Sequence, residues 1–215
     1  MWCFHVKGEF EMMKRVVQLS VLLALGTLMA TVASASVLVS TQGILNDPNG
    51  IFEQSFVYNP LTQGGTVTIQ TYGYGGSANA PGGRNAAGNI IVAGGFDPII
   101  ALFAGGAGAG GARLNFNDDG TCGPGHGATD AGICFDSTLV LTNLAAGTYT
   151  VALSAFANFP GVTETSAYTG GGSFSGRTQA FAVDVIATPE PMTSLLMGTG
   201  LLGLGYFARR RRSRQ

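Results

Sequence analysis

Two cysteines, Cys122 and Cys134, stand twelve residues apart in a glycine-rich stretch of this 215-residue sequence. Joined to each other, they would close a loop of about 13 residues, worth about 3 kcal/mol in the chain-entropy model. The competing chemistry is a metal pair completed by His126, which lacks a fourth ligand of the usual type and spacing. Around the same stretch lie Asn117, Asp118, Asp119, Asp130 and Asp136. Their side chains offer hard oxygens, the ligand type that Ca²⁺ prefers. The run Asn117-Asp118-Asp119-Gly120 is equally a turn sequence, because these residues bend and cap the backbone. The spacing is not that of an EF-hand loop, and no Gly-x-Asp repeat runs through it. Calcium ligation and plain turn duty both stay open.

Other catalytic arrangements are thin. Apart from His5, His126 is the only histidine, and glycines flank it, as they do a solvated side chain. No G-x-S-x-G elbow is present to activate a serine. The middle of the chain has only two glutamates, Glu53 and Glu164, and the single tryptophan lies at position 2. A carboxylate pair for glycoside cleavage would need spatial pairing that sequence does not display. The glycine run 105–111 lacks the Lys-Ser/Thr of a phosphate loop. The expectation is a protein without enzymatic activity and without a cofactor beyond structural calcium.

These residues must be held by some scaffold, and composition limits which. Residues 36–186 carry Arg84, Arg113 and Arg177 against nine Asp and Glu, a net of −6 with no lysine. Such a region is a poor partner for nucleic acid, where neutralising phosphate supplies most of the affinity. Thirty-four glycines disfavour helices and mark turns. Alternating apolar and polar residues predict short strands over 54–58, 65–72, 89–93, 98–103, 113–116, 137–141, 147–155 and 180–186. Val67 and Ile69 should face one way, Thr66, Thr68 and Gln70 the other, and 98–103 is apolar enough to be buried on both sides. Strands of this length with turns between them predict an all-β domain: a single antiparallel β-sandwich of jelly-roll type over 36–186.

Both ends read as addresses. Lys14 and Arg15 precede an apolar stretch, 16–33, that ends in Ala33-Ser34-Ala35. A positive start, an apolar middle and a small-residue site describe a secretory signal peptide over 1–35. Glu9 and Glu11 are foreign to such a signal, so translation is expected to begin at Met12 or Met13. An exported chain meets an oxidising compartment, which favours the disulfide for Cys122 and Cys134. The segment 187–215 holds Pro189-Glu190-Pro191, an uncharged stretch at 192–208 and then Arg209, Arg210, Arg211 and Arg212. Seventeen apolar residues are at the short end of a transmembrane helix. Arginines directly after it hold that end in the cytoplasm and leave the preceding chain outside.

The order Pro-Glu-Pro, apolar helix, arginine run resembles the PEP-CTERM sorting signal of Gram-negative bacteria that make exopolysaccharide. The resemblance implies cleavage at Pro189, Glu190 and Pro191 by a membrane-embedded, cysteine transpeptidase-like exosortase. A second resemblance rests on 96–103 (Phe-Asp-Pro-Ile-Ile-Ala-Leu-Phe), on Asn117-Asp118-Asp119-Gly120 and on 144–151 (Leu-Ala-Ala-Gly-Thr-Tyr-Thr-Val). These blocks are similar to parts of the pre-peptidase C-terminal-like β-sandwich, which implies a fold and hardly a function. The expected protein passes the secretion machinery and signal peptidase, crosses the inner membrane and is anchored transiently by its tail. It then reaches the cell surface or the exopolysaccharide matrix as a non-enzymatic component. A calcium-assisted carbohydrate-binding module is the alternative, and a hydrolase the distant third.

Overall fold

A computed structural model describes residues 34–76, 84–120 and 134–189, together with Gly200 and Gly203. In chain order the elements are β1 (Ser36–Ile44), β2 (Ile51–Tyr58), α1 (Pro60–Gln63), β3 (Thr66–Thr71), β4 (Pro98–Ala104), β5 (Arg113–Asn117), β6 (Thr138–Thr142), β7 (Gly147–Ala155) and β8 (Ala180–Thr188). They form two four-stranded sheets, ordered β1-β8-β3-β6 and β2-β7-β4-β5. Every pairing within them is antiparallel. Among the described residues the fold is therefore all-β with almost no helix. No helix formed by the described residues is long and apolar enough to cross a membrane. The signal segment 16–33 lies outside the described residues. So does the tail segment 192–208, except for Gly200 and Gly203.

Period-two patterning explains the strands. In β3, Val67, Ile69 and Thr71 are buried while Thr66, Thr68 and Gln70 between them are half-buried. Both sheets send apolar residues into one shared core: Val67, Ile69, Val183 and Val185 from the first, Ile100, Leu102, Val151 and Leu153 from the second. All eight are fully buried, and burial of each such side chain stabilises by about 1.5–3 kcal/mol. Phe52 of β2 meets Phe181 of β8 within this core, ring centroids 4.7 Å apart. The single-turn α1 is set by its ends: Asn59 accepts from the Leu61 amide, Gln63 returns a bond to the Asn59 amide, and Pro60 needs no amide partner at the first position.

β4 is buried on both faces, as the apolar run 98–103 predicts, and so are most of β7 and the middle of β8. Loops supply the outer cover. On the first sheet, Asp184 of β8 accepts from Ser40 Oγ (2.6 Å) and from the Ala86 amide (2.7 Å), fixing the loop that follows residue 84. Tyr72, Ile91 and Ala182 form a small apolar cluster there. On the second sheet, Ala101, Phe103 and Ala152 form another. Residues 105–112 sit over that side, with the Ala107 amide donating to Ser55 Oγ and Thr150 Oγ1 to the Gly105 carbonyl.

Two expectations need correction. Residues 89–93 are not a strand. The segment's first residue, Asn89, closes a turn with Asn85, whose amide donates to the Asn89 carbonyl and whose side chain accepts from the Asn89 amide, and Val92 is left exposed. Conversely, β1 went unread. A register shift between Val37 and Val39 breaks its alternation, and only Val39 in it is buried.

Candidate functional site

One end of the two sheets gathers most of the acidic residues singled out in the sequence. Asp97 immediately precedes β4, Asn117 ends β5, and Cys134 to Ser137 lead into β6. Asn117 is paired with Ile100, and Gly120 is bridged to Cys134, so these segments converge. Gly120 is required by this crossing: a β-carbon there would collide with the Asp136 carbonyl oxygen. The Asn-Asp-Asp-Gly run is thus a strand exit whose last residue passes hard against the β6 lead-in.

Asp136 is buried and accepts from the Tyr74 amide (3.1 Å), the Gly75 amide (2.7 Å) and Thr71 Oγ1 (3.1 Å). Its carboxylate ties the chain after β3 to the lead-in of β6, a structural duty. Ser137 Oγ lies against three backbone carbonyls, those of Pro98, Asn117 and Asp118. A hydroxyl has one proton and serves one of them at a time. Acceptors therefore outnumber donors at this spot.

The same imbalance holds for the side chains. Asp97 Oδ1, Asn117 Oδ1 and Asp118 Oδ1 are buried with no hydrogen-bond partner, as is Thr138 Oγ1. Burial, followed by the charges of Asp118, Asp119 and Asp136, pushes the Asp97 carboxyl up to about 8 against the opposing pull of Arg177. Burial and then Asp119 push Asp118 up to about 6, and burial alone raises Asp119. Buried acceptors without donors cost free energy, and a cation is one means of relieving them.

Of the five residues considered for calcium, the structure brings Asn117, Asp118 and Asp119 to this end and commits Asp136 to the backbone. Asp130 lies outside the described residues, as does His126. Among the described residues no group of three or more His, Cys, Asp or Glu is placed to hold a metal. The oxygens that converge are instead a mixture of carboxylate, amide and carbonyl, which suits Ca²⁺ rather than a transition metal. Asp97 was missed. It lies twenty residues before Asn117, and its one sequence cue is an Asp-Pro pair opening a strand.

Cys134 is buried and disulfide-bonded. Its expected partner, Cys122, lies outside the described residues. Glu190, Pro191 and the arginines 209–212 do as well, whereas Pro189 follows directly on the last residue of β8. Proline has no amide to donate to a ladder, which accounts for the strand ending there.

The remaining buried carboxylate is Glu164, whose two oxygens accept from the amides of Gly108 (2.5 Å) and Gly110 (2.8 Å). The arginines likewise serve the backbone: Arg177 donates to the carbonyls of Gly95 and Tyr74, Arg113 to that of Pro160, and Arg84 to that of Gly88.

No family model matches the chain, and no curated protein matches it. Among solved structures, a Bacillus licheniformis lipase in its propeptide form aligns over 79% of this chain and 25% of its own, at 12% identity and a TM-score of 0.33.

Proposed function

We propose that this chain is an exported, non-enzymatic surface or exopolysaccharide-matrix protein, delivered by a signal peptide and sorted through its Pro-Glu-Pro tail. The observation that carries the non-enzymatic reading is the employment of the buried carboxylates. Asp136, Glu164 and Asp184 each accept from backbone amides and hold loops to the sheets. Side chains so engaged are scaffolding rather than acid–base machinery.

The two antiparallel sheets support a β-sandwich of jelly-roll type. Strand order 1-8-3-6 over 2-7-4-5 supports an eight-stranded fold built from two Greek keys. Tyr149 adds local support, its hydroxyl donating to the Ala145 carbonyl (2.8 Å) and pinning the lead-in to β7. The test of the sorting role is substitution of Pro189, Glu190 and Pro191 by alanine. The altered protein should accumulate in the inner-membrane fraction while the native one reaches the surface or medium. Equal distribution of the two contradicts the proposal.

A second reading adds calcium. It is favoured by the unpartnered oxygens of Asp97, Asn117 and Asp118 beside the carbonyls crowded on Ser137. Calcium held there would brace the β4, β5 and β6 ends and leave coordination open to the hydroxyls of a carbohydrate. Millimolar Ca²⁺ should raise the melting temperature, and Mg²⁺, which demands a smaller octahedral site, should do less.

The pH dependence carries a sign. Asp97's carboxyl lies above its ordinary 3.8, so without calcium its contribution is full in acid and is lost as pH rises through about 8. Calcium takes the ionised form, so its stabilisation should instead grow with pH. Identical melting curves with calcium and with chelator across that range contradict this reading.

A further inference from the structure

β1 begins and β8 ends at the same end of the first sheet, opposite the acidic one. Ser36 pairs with Ala187, and Thr66, which opens β3, pairs with Thr188. Two connections close this end: residues 59–65, which carry α1 from β2 to β3, and residues 143–146, from β6 to β7. Tyrosines of the second sheet tie both down, Tyr58 donating to the Gly64 carbonyl and Tyr149 to that of Ala145 (2.8 Å). Gly64, at φ +106°, lies hard against Pro189, whose backbone a β-carbon there would strike. The turn that carries Leu61 thus ends against the point where the chain leaves the sheet.

No charged side chain lies in these segments. Residues 34–38, 57–66, 141–148 and 186–189 contain no Asp, Glu, Lys, Arg or His. Asp97, Asp118, Asp119 and Asp136 gather at the far end, a strand length of about 17–20 Å away. The connection 105–112 leaves β4 with the Gly105 amide bonded to the Thr148 carbonyl (2.9 Å), and it is uncharged too. The Glu164 carboxylate behind it is buried and taken by the Gly108 and Gly110 amides. Apolar groups project instead: Leu61 is 92% exposed and Val57 67%, and Ala145 and Ala146 are exposed as well.

We propose that this end of the fold rests on the bilayer surface on the exported side of the inner membrane, with Leu61 and Val57 set into the headgroup layer. The inference rests on the reading of residues 192–208 as the transmembrane part of the sorting tail. Only residues 189–191 separate Thr188 from that segment, and three extended residues span about 10–11 Å. The polar layer on each side of the hydrocarbon is about 5–7 Å thick, so the end of β8 stands within about 5 Å of it. A surface pressed into that layer loses water, which charged groups resist far more than apolar ones. The tether brings the charge-free end to the lipid and holds the acidic end away from it.

The tail-bearing chain purified from cells lacking the sorting protease tests this after reconstitution in phosphatidylcholine vesicles. Cleavage near Ser36 removes Trp2, the single tryptophan, so an introduced one is the sole reporter. Leu61→Trp and Val92→Trp place it at the two ends, on side chains exposed enough (92% and 80%) to leave the core untouched. Co-flotation with the vesicles reads the tail, and quenching by acyl-brominated phosphatidylcholine reads the contact. Leu61→Trp should lose emission to the brominated lipid while Val92→Trp keeps its own. Leu61→Trp left as bright as Val92→Trp in co-floating protein overturns the contact and leaves the tail reading standing. Protein that does not float overturns both. If Leu61→Trp does not fold, Val57→Trp reads the same contact against the same control.

Discussion

Asp136 and Asp97 show how far a residue's role depends on what meets its oxygens. The sequence places Asp136 among the calcium candidates, yet its carboxylate is taken up by two amides and a hydroxyl. Asp97 carries no such signal and stands within the acidic end with an oxygen that nothing donates to. The difference follows from strand pairing, which brings together residues that sequence spacing keeps apart. Asp136→Ala leaves two buried amides and Thr71 without their acceptor. A buried polar group deprived of its partner costs about 1–3 kcal/mol, so the variant should lose about 3 kcal/mol in urea unfolding. Asp119→Asn, at an exposed turn position, should stay within about 0.5 kcal/mol of the native protein. Equal losses for the two would contradict the anchoring role given to Asp136.

Most strands were legible because a sheet with one face on a core imposes a period of two. The region around β3 read correctly for that reason, and β4 read as doubly buried from its uninterrupted apolar run; β7 alternates in sequence although both its faces are buried from Tyr149 on. Failures came where another force set the pattern. Residues 89–93 are apolar after Asn89, but Asn89 closes a turn on Asn85, and of the five Ile91 alone turns inward, against Tyr72 and Ala182. In β1 the shift between Val37 and Val39 rephases the strand, so its alternation fails in the sequence while its ladder with β8 is maintained. The glycine run 105–111 read only as a stretch without the residues of a phosphate loop. In the structure Glu164 gives it a partner through Gly108 and Gly110, a pairing across more than fifty residues that no local pattern encodes.

For the molecule as a whole, the sheets and the addresses are separate kinds of information. The fold follows from alternation and glycine placement. The proposed export and sorting rest on segments 1–35 and 187–215, which a packed core neither requires nor explains. The two meet at Thr188, where the last residue of β8 abuts Pro189 and no spacer separates the sheet from the motif. The intact mass of the protein recovered from envelope and medium, in cells with and without the sorting protease, tests the central proposal most directly. A species beginning near Ser36 and ending near Pro189, present only with the protease, is the predicted result. A species that keeps residues 192–215 while the protease is active would contradict it, making the tail a permanent anchor.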